Sequence, residues 1–123
     1  GCADAIPWRR ALREGCDRMV VVLTRERDYY KKPGRADQAM ARAFKKYPCF
    51  QETMRTRSDR YNACREELFA LERQGRALVI APEDTLGCSR TERNLDTLRA
   101  LWQEGYFDGR REMERVREFW TKE

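Results

Sequence analysis

The side chains able to act as nucleophiles, acids or bases in this sequence do not assemble into a familiar constellation. Histidine is absent from the 123 residues. That excludes Ser-His-Asp and Cys-His mechanisms and removes the commonest metal ligand. Only two serines occur, Ser58 and Ser89, and neither lies in a G-x-S-x-G turn that would expose a nucleophilic hydroxyl. Ser58 stands between Arg57 and Asp59 at an expected helix boundary, where capping is its expected job. Ser89 with Glu92 fits the S-x-x-E capping box. The five cysteines, Cys2, Cys16, Cys49, Cys64 and Cys88, are scattered and never spaced C-x-x-C. They read as reduced thiols rather than as a zinc site or a disulfide framework. Cys88, between Gly87 and Ser89 and beside Arg90, is the best placed to be reactive, because a helix N-terminus is expected just after it. A structural role remains its preferred reading.

The carboxylates mostly accompany Arg or Lys at helical spacing. Glu66 and Glu67 with Arg65 and Arg73 read as surface ion pairs, each worth little. Asp4 differs, because it precedes Ile6-Pro7 and a helix start, where its side chain would cap backbone N–H groups. No glycine-rich phosphate loop occurs. The residues taken alone therefore assign no catalytic group, no metal site and no cofactor.

The elements that would position these residues alternate between helix and strand. Pro7 opens a short helix whose Trp8, Ala11 and Leu12 share one face, and Gly15 ends it. Residues 19–24, M-V-V-V-L-T, are rich in β-branched residues and lack alternation, the mark of a strand covered on both faces. Pro33-Gly34 is a turn. A helix follows with Ala36, Met40, Ala43, Phe44 and Tyr47 on one stripe, closed by Pro48. A shorter helix spans 50–57, and a clear one carries Tyr61, Cys64, Leu68 and Leu71 before Gly75. Residues 77–81 form a second unalternating strand, stopped by Pro82. Two such strands joined by helices predict a parallel pair with a right-handed crossover. Ser89 and Glu92 then open a helix with Leu95, Leu98, Leu101 and Trp102 that ends at Gly105. A last helix carries Met113, Val116, Phe119 and Trp120. All these apolar stripes are expected in the core.

Charged residues make up 38% of the chain and hydrophobic residues 41%, so the surface is heavily solvated around a modest core. Three Trp, five Tyr and five Phe argue against disorder. The net charge is +5, and the basic residues lean toward the first half. That half is a candidate surface for an anionic membrane, provided the Arg and Lys residues of 25–60 share one face. Solvated helix faces are the preferred reading of this charge. The lack of a basic motif interleaved with aromatics argues against nucleic acid. No apolar run approaches the roughly 20 residues that span a bilayer, and no secretory leader is legible. The start at Gly1, without Met, reads as processed or truncated.

The segment G-C-A-D-A-I-P-W-R-R-A-L-R-E-G-C-D-R-M-V-V-V-L-T-R, from Gly1 to Arg25, resembles bacterial patatin-like phospholipases. In that family a D-G-G or D-G-A motif is followed by D-x-I-P, a helix, a glycine and a V-V-V-L-T-R strand. The K-K-P of Lys31 to Pro33, the R-Y-N of Arg60 to Asn62 and the A-L-V-I-A-P-E of Ala77 to Glu83 look like the C-terminal region of such proteins. The resemblance covers essentially the whole chain, and its first 25 residues carry most of the specificity. It implies a Ser–Asp dyad that needs no His, acting on a lipid ester by acyl transfer to Ser and then to water. Gly1 would be the last glycine of D-G-G, with the catalytic Asp about two positions before it and the Ser and oxyanion loop further upstream. None of the family's catalytic residues maps onto this chain. Gly1, Asp4, Ile6 and Pro7 match as scaffold that holds the Asp loop. Ala5 departs from the family, where Pro is usual, which loosens the turn.

The expectation is a single α/β domain over 1–123, the C-terminal and non-catalytic portion of a patatin-like lipid ester hydrolase. A small parallel sheet of two strands, 19–24 and 77–81, is surrounded by five or six helices as a fragment of a larger patatin-like fold. The first strand would join the parent's sheet, leaving an exposed edge and self-association in the isolated chain. Phospholipid would be met through the parent enzyme, in the bacterial cytoplasm at the periphery of the membrane. The rival reading is a basic module that docks anionic headgroups or nucleic acid.

Overall fold

The chain folds twice through the same local sequence of events, a helix closed by glycine and then a strand. In a computed structural model that describes residues 3–89 and 91–121, helix α1 (Trp8–Arg13) ends at Gly15, whose φ is +92°. The Gly15 N–H donates to the Leu12 carbonyl and the Cys16 N–H to the Ala11 carbonyl, each at 3.1 Å. That pair of bonds is a Schellman closure, which satisfies carbonyls the helix would otherwise leave orphaned. Strand β1 (Met19–Val22) follows. Helices α2 (Arg35–Ala43), α3 (Pro48–Arg55) and α4 (Arg57–Arg73) make the crossover. Helix α4 closes in the same way at Gly75, φ +72°, with the Gly75 N–H on the Glu72 carbonyl and the Arg76 N–H on the Leu71 carbonyl. Strand β2 (Ala77–Ile80) follows at once, and helix α5 (Leu95–Thr121) ends the described chain.

The two strands pair in parallel, Met19 opposite Ala77 and Val22 opposite Ile80, as the unalternating runs predict. One face of the pair, carrying Met19, Val21, Leu23, Ala77 and Val79, packs on Trp8, Cys64, Leu68 and Leu71. This is the core, with Leu68 at 0% exposure and Val79 at 1%. The other face is covered unevenly. Helix α5 lies against β2, whereas Val22 of β1 is 69% exposed. The expectation of a strand buried on both faces therefore holds for β2 and fails for β1. The architecture is mixed α/β and mostly helical, with five helices among the described residues.

Several boundaries differ from the sequence reading. Pro48 opens α3 as well as following α2, since a proline at the first helical position loses no bond. Phe44 and Tyr47 thus lie beyond the end of α2, and Ala41 is its buried residue. Ser58 is buried inside the first turn of α4, which has no side-chain cap. The Ser89–Glu92 box does not start a helix. Glu92 accepts the N–H groups of Arg93 and Asn94, and Asn94 caps α5 by accepting from Asp96 at 2.9 Å and Thr97 at 3.2 Å. The break expected at Gly105 is absent, because α5 runs unbroken through Gly105 and Gly109. A helical glycine costs only about 1 kcal/mol relative to Ala, too little to stop a helix with no proline behind it.

Candidate functional site

The Asp4–Pro7 segment is held from beneath by α4. The indole N–H of Trp8 donates to the Cys64 carbonyl at 3.2 Å and lies 3.1 Å from Cys64 Sγ, whose thiol reaches the Ile6 carbonyl at 3.7 Å. Ile6 joins the core. Arg9 pairs with Glu67 at 2.6 Å, so Glu67 bridges two helices instead of joining the expected surface group on its own helix. Burial pushes the Cys64 thiol up in pKa, which keeps it protonated and suits a packing role. At its N-cap position, Pro7, helix α1 has no side-chain cap. Asp4 is exposed at the rim of a cleft. Gly1 lies outside the described residues.

That cleft, of about 580 Å³, is walled by residues 3–6, by Arg9 and Arg13 of α1, by Thr24 and Arg25 just beyond β1, by Tyr29 and Lys31, and by Arg57, Arg60, Tyr61, Ala63 and Cys64 of α4. Its position is held by a clasp between two of the motifs singled out in the sequence. Asn62, of R-Y-N, accepts from the Lys31 N–H and donates to the Lys31 carbonyl, both at 2.9 Å, and Lys31 belongs to K-K-P. Behind the cleft lies Arg65, 3% exposed, which sequence reading placed among surface ion pairs. Its guanidinium donates to the carbonyls of Glu26 and Arg27 and stacks near Tyr29, Tyr61 and Phe69. No carboxylate pairs with it among the described residues. A long stem and delocalised charge let Arg bury against aromatic faces where Lys would not; Tyr61 and Phe69, four residues to either side of Arg65 on α4, are the one local signal of it in the sequence.

The basic residues of 25–60 do not share one face. Arg25, Lys31, Arg57 and Arg60 line the cleft. Arg27 instead turns back over Phe69, pairs with Glu72 and donates to the Val79 carbonyl at 3.1 Å. Glu72 also accepts the Val79 N–H at 2.9 Å. Both outward-facing backbone groups of Val79 are thus met by side chains, and the outer edge of β2 is closed there. The outer edge of β1 is different. Met19 and Leu23 donate toward β2, so the backbone groups of Val20 and Val22 point the other way by the alternation of a strand. There they line an apolar groove of about 400 Å³ with Ala5, Ile6, Pro7, Trp8 and Ala11. No strand pairs on that side among the described residues.

Cys88 sits in a loop seven residues before the start of α5, with its Sγ near the Ser89 carbonyl at 3.6 Å. The helix N-terminus that would have favoured a reactive thiolate is therefore not beside it, and Arg90 lies outside the described residues. Cys16 and Cys49 are exposed free thiols. Among the described residues no group of three His, Cys, Asp or Glu side chains could hold a metal ion. No described helix is long and apolar enough to cross a membrane. The stripe of α5 expected in the core is covered only in part. Leu95, Leu98, Trp102, Met113 and Trp120 are exposed, as is Tyr106, with Trp102 at 69%, whereas Leu101, Val116 and Phe119 of the same stripe are half-buried on the side of the helix that carries buried Asp108. The loops beyond the two strands are joined by Glu26, which accepts from the Thr85 N–H at 2.9 Å and from the Thr85 hydroxyl.

The family model described as a domain of unknown function, DUF6363, matches residues 47–121, which run from just before α3 to the end of α5. No curated protein and no solved structure matches the chain.

Proposed function

We propose that this chain, which belongs to the DUF6363 family, is the C-terminal, non-catalytic portion of a patatin-like lipid ester hydrolase whose Ser–Asp dyad lies upstream. The observation that carries the reading is the asymmetry of the two strand edges. The outer edge of β2 is closed by Arg27 and Glu72, as sheet ends commonly are. The outer edge of β1 is left open beside an apolar groove, as expected of a strand that continues a larger sheet. The Asp4–Pro7 segment, which matches the stretch after the family's catalytic Asp, lies along the wall of that same groove. Buried Ile6 and the Trp8–Cys64 contact fix its path. In this reading the chain contributes no reacting group. It holds the Asp loop in position, since small misplacements of a catalytic group cost large factors in rate.

The α5 stripe agrees with a protein partner better than with an anionic membrane. The helix carries five arginines against six carboxylates, four of the arginines in i, i+3 pairs on the helix itself. Such a balanced surface gains little from anionic headgroups.

Hydrolysis of a short-chain nitrophenyl ester by this chain and by a longer protein containing it tests the reading. The chain alone should be inert. The longer protein should turn over the ester and lose that activity when its upstream Ser is replaced by Ala. Turnover by the chain itself, or a longer protein indifferent to that Ser, would overturn the reading.

A further inference from the structure

The cleft beside Asp4 carries an excess of positive charge that the hydrolase reading does not use. Among the described residues six cationic side chains line it, Arg9, Arg13, Arg25, Lys31, Arg57 and Arg60, against one carboxylate, Asp4. Two of the six are already matched, Arg9 by Glu67 at 2.6 Å and Arg57 by Asp37 at 2.7 Å. Arg13, Arg25 and Arg60 make no ion pair among the described residues. Buried Arg65 adds a fixed charge behind the wall, its guanidinium carbon 5.9 Å from the Tyr29 ring and 5.8 Å from the Tyr61 ring. Like charges gathered in a concavity repel one another and raise the local potential, because low-dielectric walls focus the field. A site of this kind is relieved by a multivalent anion.

We propose that this cleft binds a phosphomonoester group, with Arg13, Arg25 and Arg60 as its principal contacts. Guanidinium forks match phosphate oxygens in pairs, and three of them lining one cleft from α1, the end of β1 and α4 suit a compact dianion better than a single carboxylate. The place is also one where open α/β sheets commonly hold ligands, beyond the carboxyl end of a strand. The group can belong to a soluble phosphomonoester or to the headgroup of a phosphatidic acid. The inference stands whether or not the chain serves a hydrolase, because it concerns binding to this chain alone.

Isothermal titration of the full chain with inorganic phosphate and with glycerol 1-phosphate reads the soluble source. Flotation with phosphatidylcholine vesicles, with and without phosphatidic acid, reads the lipid source. We expect saturable binding that strengthens as pH rises through about 6, where a phosphomonoester gains its second charge. The triple variant Arg13→Gln, Arg25→Gln, Arg60→Gln should bind at least about tenfold more weakly, the size of one lost charge-assisted hydrogen bond. A control that removes as much charge elsewhere, Arg42→Gln, Lys45→Gln, Lys46→Gln, should stay within about twofold, as expected of surface charges distant from the ligand. Binding of soluble phosphate assigns a small-molecule site, and binding only of phosphatidic acid vesicles with the same variant pattern assigns a headgroup site; either supports the inference. Binding of neither, equal losses in both triple variants, or tighter binding of a short oligonucleotide through the same arginines would overturn it. The triple variant should melt no lower than the parent chain, since like charges are being removed. Should it not fold, the single variants Arg13→Gln and Arg60→Gln give the same reading.

Discussion

At the scale of single residues, polar side chains tie together segments that lie far apart in the sequence. Asn62 clasps the Lys31 backbone through both ends of its amide. Glu26 ties the loop after β1 to the loop after β2 through Thr85. Arg65 is buried where a surface ion pair was expected. The hydrogen-bond partners of all three lie thirty or more residues away, so local spacing does not reveal them. The Glu26–Thr85 bond has a consequence in acid. Hydrogen bonding by the Thr85 hydroxyl, foremost, holds the Glu26 carboxyl below its ordinary pKa of 4.5. The unfolded chain therefore takes up this proton more readily than the folded one. The bond's contribution is present above about pH 4.5 and is lost as pH falls through the lower folded value. Replacing Thr85→Val should cost about 1 kcal/mol at neutral pH and make the loss of stability below pH 4.5 shallower. Urea titrations at several pH values read both effects, and an unchanged acid slope would remove Glu26 from this role.

The elements were more legible than the residues. The two unalternating apolar runs became a parallel pair, and Gly15 and Gly75 became the helix ends they signalled. Tyr61, Cys64, Leu68 and Leu71 face the core as their spacing predicts. Errors gathered where one rule was taken as decisive. The S-x-x-E match at Ser89 was outweighed by Asn94, and Gly105 lacked the positive φ that makes glycine a terminator. Burial of the α5 stripe was inferred from periodicity, which says that a face is apolar but not what covers it. Gly105 and Gly109 lie in α5 with open space where a Cβ would project. Gly105→Ala and Gly109→Ala should therefore each stabilise the chain by about 0.5–1 kcal/mol, visible as a higher melting temperature. Gly75→Ala, at a φ of +72°, should instead destabilise it by about 1 kcal/mol. Reversed signs would mean that α5 is broken at Gly105 after all.

At the scale of the whole molecule, the groove along β1 and the exposed part of the α5 stripe are apolar surfaces left uncovered among the described residues. Surfaces of this kind favour association with another chain. The isolated protein should self-associate as its concentration rises, and Val22→Lys together with Trp102→Glu should shift it toward monomer in sedimentation equilibrium without lowering its melting temperature. A strictly monomeric parent chain would show that these surfaces are inert.

The claim that β1 is an interior strand of a larger sheet is tested most directly by backbone hydrogen exchange at Val20 and Val22, measured in dilute solution. In this chain alone their amides should exchange at rates close to those of an unprotected peptide, while those of Met19 and Leu23, bonded to β2, are slowed. Within a longer protein containing the chain, Val20 and Val22 should become protected at least about a hundredfold, in the range of core strands. Amides that exchange equally fast in both settings would contradict the account, since β1 would then be a sheet edge in its natural context too.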